Sequence, residues 1–138
     1  MIERRDKSHF EKIWQDKLDQ SQLPVTYKVG DNLRVDKAIE IIPAGMRMLD
    51  IGCGSGMLAS QLAGKFKEVH GIDIAEGAVS LARQKGVLAQ VSNLNTDALP
   101  YEDGFFDIVT ILATLQLIYD LDFAYARLNR PEYNLTPL

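Results

Sequence analysis

Residues Leu49-Asp50-Ile51-Gly52-Cys53-Gly54-Ser55-Gly56 join an apolar run carrying an acid to three glycines at alternate positions. A chain that turns sharply out of a strand needs residues tolerant of unusual backbone angles. A ligand laid on that backbone needs positions without a Cβ. The amides that open the following helix make a polar cradle at its N-terminus. Seventeen residues beyond Gly56, a second apolar run, Val69-His70-Gly71-Ile72-Asp73, ends in another acid. An acid on the strand beside a glycine-rich turn suits the two hydroxyls of a ribose. The pattern is that of a nucleoside-binding half-fold.

The loop spacing selects among nucleosides. A dinucleotide fingerprint reads G-x-G-x-x-G, and its third glycine would fall on Met57. Here the spacing is G-x-G-x-G, with Asp50 just ahead of it. A carboxylate repels a pyrophosphate and attracts the ammonium of an amino-acid moiety, which points away from NAD and toward S-adenosylmethionine. At this point the chain resembles the class I S-adenosylmethionine-dependent methyltransferases. Leu49 to Gly56 is similar to their first motif, and Gly71-Ile72-Asp73-Ile74 to their second-strand acid. Asn95-Thr96-Asp97-Ala98-Leu99-Pro100, followed by Phe105-Phe106-Asp107-Ile108-Val109, is similar to their adenine loop and fourth strand. The likeness spans roughly residues 33–130.

The resemblance implies an α/β fold, a Rossmann-like doubly wound parallel sheet with strand order 3-2-1-4. It also implies S-adenosylmethionine as cofactor. Gly52, Gly54 and Gly56 would let the methionine moiety approach the backbone, and Asp50 would orient the loop and attract the ammonium, unless it only caps a turn. Asp73 would take both ribose hydroxyls, the other reading being a surface acid at a strand end. Ile74 would pack on the adenine or serve as ordinary core. Asp97 and the Ala98 amide would read the adenine edge, with an Asx-turn as the alternative for Asp97. Leu112 would offer its carbonyl to the ammonium. Cys53 belongs to the cradle as a small residue in a tight turn; no basic neighbour in sequence activates it as a nucleophile. His9 and His70 lack metal-ligand company, so no metal site is expected. Trp14, Tyr27 and Gln116 could line an acceptor pocket or be scaffold. After strand four the chain reads Ile111-Leu112-Ala113-Thr114, without the Asn-Pro-Pro-Tyr-like segment of nucleobase amino-methylation.

The elements that position these residues emerge from periodicity. Ser8 and Glu11 have capping-box spacing, and Phe10, Ile13, Trp14 and Leu18 recur at helical intervals. A helix over about 8–20 and a loop to Gly30 form an N-terminal unit, residues 1–31; the helix packs on the domain or, as its position in the resembled family implies, forms a lid over the cofactor. Residues 32–138 form the cofactor-binding core. Asn32 caps a helix that stops at Pro43-Ala44-Gly45. Alternation then gives strand 46–51, helix 57–66 with Leu58, Leu62 and Phe66 inward, strand 68–74, helix 76–85, strand 88–93, strand 106–112 and a last helix over 120–129. Such alternation means right-handed βαβ crossovers and a parallel sheet.

In the family the last helix leads to a Lys-Pro-Gly-Gly-type turn and three further strands. Here Glu132-Tyr133 stand where two glycines are expected, and Leu138 is the final residue. The core is therefore expected to be incomplete at its C-terminus, with strand four as an open edge that pairs with a second copy or a partner chain.

Composition sets the remaining bounds. The 138 residues make one domain of ordinary apolar content, 46%, enough to bury about two-thirds of its unfolded surface. Net charge is −4, and beyond residue 48 there are six Lys/Arg against eleven Asp/Glu. No basic stripe marks a nucleic-acid surface. No apolar run reaches the ~20 residues of a membrane span, and the N-terminus lacks a signal core, so a cytoplasmic location is expected. With one cysteine there is no disulfide within the chain. The reading is a methyltransferase acting on a small molecule. The alternative is a non-catalytic module that binds the cofactor or a partner chain, and an NAD-dependent oxidoreductase ranks third.

Overall fold

A computed structural model describes residues 7–19, 30 and 32–112, the side chains of 17–19 excepted. Its elements are α1 (Lys7–Asp19), α2 (Leu33–Ile41), β1 (Gly45–Ile51), α3 (Met57–Gln61), β2 (Phe66–Asp73), α4 (Glu76–Gln84), β3 (Leu88–Val91) and β4 (Ile108–Ile111). The four strands are parallel and ordered β3-β2-β1-β4, the order expected. The helix expected over 120–129 and the residues after it lie outside the described residues, as do Tyr27 and Gln116.

Local chemistry explains where the elements start and stop. The Asn32 side chain accepts from the Arg34 and Val35 amides at the start of α2, satisfying donors that have no partner inside the helix. α2 ends because Ile42, which precedes Pro43, is extended, as the proline ring requires of its neighbour. Lys65 then donates to the carbonyls of Ile39 and Ile42, closing the C-terminal end of α2. Asp107 anchors the approach to β4 by accepting from the Met46 and Arg47 amides at 2.6 and 3.1 Å.

One face of the sheet is covered by α2, α3 and α4. There Val35, Ala38, Leu58, Leu62, Val79 and Ala82 pack on Met48, Phe66, Val69 and Ile108. The other face buries Leu49, Ile51, Ile72 and Val109 beneath Leu94, Leu99 and Phe106 from the 92–107 connection. Tyr101, Phe105 and Phe106 meet the His70 ring edge-on, with centroids 5.2–5.6 Å away, a favoured aromatic geometry.

Three expected boundaries are corrected. The helix placed at 57–66 ends at Gln61, and Phe66 opens β2 instead of closing the helix. Leu62 and Phe66 are four apart, so the helical period fits them. Yet a Lys65 N–H bond to Leu62 O at 2.9 Å turns the chain, and Gly45 N donates to Lys65 O at 3.0 Å, so pairing starts there. β3 stops at Val91, not residue 93, because Asn93 enters a turn in which its Oδ1 accepts from the Asn95 amide. β4 covers 108–111 rather than 106–112, and Thr110 is buried within it.

Gly71, midway along β2, faces Cys53 across the sheet. A Cβ there would lie 2.7 Å from Cys53 Sγ and 2.8 Å from its Cβ. Gly71→Ala is therefore expected to destabilise the fold by about 1–3 kcal/mol, the usual cost of overpacking. Urea denaturation checks it, and an unchanged midpoint would show that the loop shifts freely.

Candidate cofactor site

β1 delivers the chain to the glycine loop, whose three glycines all take left-handed backbone angles. Gly52, Gly54 and Gly56 have φ of 72°, 54° and 80°, a region that L-residues with a Cβ enter only at a cost. At Gly56 a Cβ would also stand 3.2 Å from the Ala82 backbone. The loop is fastened to the end of β2. The Gly52 and Cys53 amides donate to Ile72 O at 2.8 and 3.0 Å, and the Gly54 amide donates to Asp73 Oδ2 at 2.9 Å. The other Asp73 oxygen accepts from the Ala75 amide at 3.0 Å, just before α4. Asp73 thus ties the glycine loop to the start of α4 while standing at the mouth of the sheet. The cradle expected from the helix opening is narrower than the sequence implies, because α3 has only five residues and three loop amides already serve β2.

Asp50 lies behind the loop. It pairs with Thr110 in the β1–β4 register, so the two side chains share a face, and Thr110 Oγ1 donates to Asp50 Oδ1 at 2.8 Å. Asp50 is only 4% exposed. Its pKa is raised from 3.8 to about 7; burial is the main cause, opposed by the Thr110 bond and reinforced by the Asp73 charge. Burial also lifts the Asp73 carboxyl above the ordinary value, against the lowering by the Ala75 and Gly54 amides, and nearby Glu11 adds to the rise. Burial, with Asp50 and Asp73 nearby, pushes the Cys53 thiol far above its usual range, so Cys53 is a small buried residue and not a thiolate nucleophile.

The remaining predicted residues spread along the carboxyl ends of the strands. Ile74 comes directly after Asp73 and is half-buried; Leu112 comes directly after β4 and is half-buried. Asp97 and Ala98 are exposed on the connection between β3 and β4. The Asp97 carboxylate holds that connection closed, accepting from the Asn93 amide at 2.8 Å and the Thr96 hydroxyl at 3.1 Å. His70 is packed among aromatic rings and bonds Glu68 at 2.9 Å, a structural role. Among the described residues no group of His, Cys, Asp and Glu is arranged to hold a metal ion.

Three residues join the site through tertiary contacts. Thr110 could be noticed as a polar residue inside an apolar strand. Glu11, assigned to a capping box, instead sends Oε1 to the Glu76 amide at 2.8 Å, and so caps α4 from 65 residues away. Trp14 lies on the glycine loop: a Cβ on Gly54 would sit 3.2 Å from its Cζ2. No local pattern signals a contact at that distance in sequence.

The site suits an adenosyl amino acid on its own observations. The left-handed glycines leave backbone uncovered by Cβ, an acid stands at the end of the neighbouring strand, and the Asp50 and Asp73 carboxylates beside the loop favour a cation over a pyrophosphate, although Lys85 Nζ also reaches the loop at Ser55 Oγ, 3.4 Å away. The sequence profile of the methyltransferase domain matches residues 49–131. The ubiquinone biosynthesis O-methyltransferase of Acinetobacter baylyi is 35% identical over 83 residues, 56% of this chain and 35% of that protein. Human methyltransferase-like protein 27 is 31% identical over 115 residues, 79% of this chain and 46% of that protein. Phosphoethanolamine N-methyltransferase 2 of Haemonchus contortus, solved with S-adenosyl-L-methionine, superposes with a TM-score of 0.59 at 26% identity, covering 83% of this chain and 32% of that one. A Haloferax volcanii methyltransferase solved with its Trm112 activator shares the fold, with a TM-score of 0.70 at 20% identity over 95% of this chain and 59% of that one. The chain belongs to the class I S-adenosylmethionine-dependent methyltransferase family. It spans less than half the length of these two curated relatives.

The Asp50 environment has a consequence for pH. Its folded pKa of about 7 stands above the ordinary 3.8, so folding takes up a proton between those values. The contribution to stability is full below about pH 4 and is lost as pH rises through about 7. Thermal unfolding from about pH 5 to about pH 8 should show falling stability, and a flatter profile in Asp50→Asn, which keeps the Thr110 partner without the charge. Parallel profiles for the two proteins would contradict this.

Proposed function

We propose that this chain binds S-adenosylmethionine across the loop at 52–56 and takes part in methyl transfer to a small-molecule acceptor. The observation that carries the reading is the Asp73 carboxylate held between the Gly54 and Ala75 amides at 2.9 and 3.0 Å, beside a loop with no Cβ at its turns. Asp73 would hold the ribose hydroxyls, and the loop backbone the methionine moiety. Asp50 and the Leu112 carbonyl would face its ammonium. Ile74, Asp97 and the Ala98 amide would bound the adenine. When bound, the cofactor supplies an activated methyl group through its sulfonium. The protein's share is orientation of the acceptor, with water kept from the bond that breaks. No side chain is assigned as general base.

A second reading, a cofactor-binding or partner-pairing module, is favoured by one observation: β4 has a strand neighbour on one side only among the described residues. An unpaired edge is a template for another strand, so we place association with a second copy or a partner chain there. The acidic balance disfavours nucleic acid as acceptor, and no described helix is long and apolar enough to cross a membrane. We place the protein in the cytoplasm.

Calorimetry is expected to show binding of S-adenosylmethionine and S-adenosylhomocysteine and none of NAD. Asp73→Asn should weaken that binding by about 1.5–3 kcal/mol, the scale of hydrogen bonds to a charged group. Saturable NAD binding without S-adenosylmethionine binding would sink the reading. Turnover of labelled cofactor against a metabolite panel separates the enzyme from the module.

Light scattering at micromolar concentration tests the edge separately. The expected result is a dimer or higher assembly, and a clean monomer would show that β4 is protected within the chain.

A further inference from the structure

α1 does more than pack on the domain. It crosses the carboxyl ends of β1 and β2 and touches the segment beyond each strand. Beyond β1, the Trp14 indole lies on Gly54, with Cζ2 3.2 Å and Cη2 3.5 Å from the point where a Cβ would stand. Beyond β2, Glu11 Oε1 accepts from the Glu76 amide at 2.8 Å, and Lys7 Nζ approaches Glu76 Oε1 at 3.9 Å. The Lys7 pair is exposed and weak. The Glu11 bond is more directional, because it meets an α4 amide that no side chain at the Ala75 cap satisfies.

These contacts have a cost and a geometric effect. Glu11 comes close enough to Asp73 to push its carboxyl upward, so α1 is seated beside a like charge. The indole covers the one side of Gly54 that the missing Cβ leaves open. A ligand group laid on that side meets Trp14 first.

We propose that α1 is an inhibitory latch: Glu11 fastens it to α4, Trp14 occupies the glycine loop, and the helix must lift before the cofactor seats. The proposal rests on the cofactor reading above and fixes the direction of its regulation. A lid that closed over bound cofactor would raise affinity. A latch that competes with it scales the observed affinity down to the intrinsic value times the fraction of time the site is open. Loosening the latch therefore tightens binding, the opposite sign to loosening a lid.

The chain has one tryptophan, so tryptophan emission, excited beyond the absorption of its tyrosines, reports on α1 alone. In the ligand-free protein, Glu11→Ala should redden the emission and raise acrylamide quenching. An unchanged spectrum and quenching would overturn the latch whether or not any cofactor binds. On titrating S-adenosylmethionine into the wild type, the emission should redden as the indole leaves Gly54. Calorimetry should show Glu11→Ala binding about 3–10-fold more tightly, with Trp14→Ala shifted the same way. A blue shift on titration, or weaker binding by Glu11→Ala, would overturn the proposal in favour of a lid. If none of the three proteins binds S-adenosylmethionine, the cofactor reading fails. The ligand-free comparison then decides alone whether Glu11 holds Trp14 on the loop.

Discussion

The arrangement depends on one carboxylate. Asp73 ends β2, yet its two oxygens reach backward to Gly54 and forward to Ala75. The first bond fixes a loop of left-handed glycines that would otherwise sample many shapes. The second satisfies an amide at the start of α4, whose own cap residue, Ala75, offers no side chain for the purpose. Charge-assisted bonds to backbone amides are stronger than neutral ones, and here they join strand, loop and helix at the point where a ligand would sit. An uncharged residue at 73 would loosen the loop as well as remove the proposed ligand contact. Sequence pattern alone assigns Asp73 to the ligand and is silent on this second duty.

Charge is the second organising fact. Asp73 adds to the raised proton affinity of Asp50, Glu11 adds to that of Asp73, and Asp50 and Asp73 both stand near one loop. Such a group is unfavourable in isolation and is relieved by a cation. Hydrogen bonds do part of that work: Thr110 donates to Asp50, and backbone amides donate to Asp73. A sulfonium with an ammonium would do the rest, whereas a pyrophosphate would add to the repulsion. Cys53, caught between Asp50 and Asp73, is held as a thiol and spends its side chain on packing against Gly71.

The parts of this architecture that are legible in the sequence are those written in local pattern. Strand-helix alternation leads to the parallel sheet, and the three glycines mark the loop, because a positive φ has a residue signature. Asn32 announces α2 by the same logic. The features that escape are set by tertiary contact. Phe66 satisfies the helical period from Leu62 equally well as it opens a strand, so pattern could not end α3 at Gln61. Asp97 carries a ligand role by resemblance, while its geometry also closes the turn at Asn93. Glu11 shows capping-box spacing with Ser8, but its carboxylate caps a different helix, a pairing that only the packing of α1 on α4 creates. The Asp50–Thr110 bond depends on register between β1 and β4, which no single strand reveals.

The central claim is that Asp73 and the loop it holds are the cofactor site. The most direct measurement is a crystal structure with S-adenosylhomocysteine, the product that lacks the transferable methyl. The account predicts both ribose hydroxyls within hydrogen-bond reach of the Asp73 carboxylate, about 2.6–3.2 Å, with the amino-acid part along residues 52–56. A ligand bound elsewhere, with Asp73 still serving only the Gly54 and Ala75 amides, would contradict it.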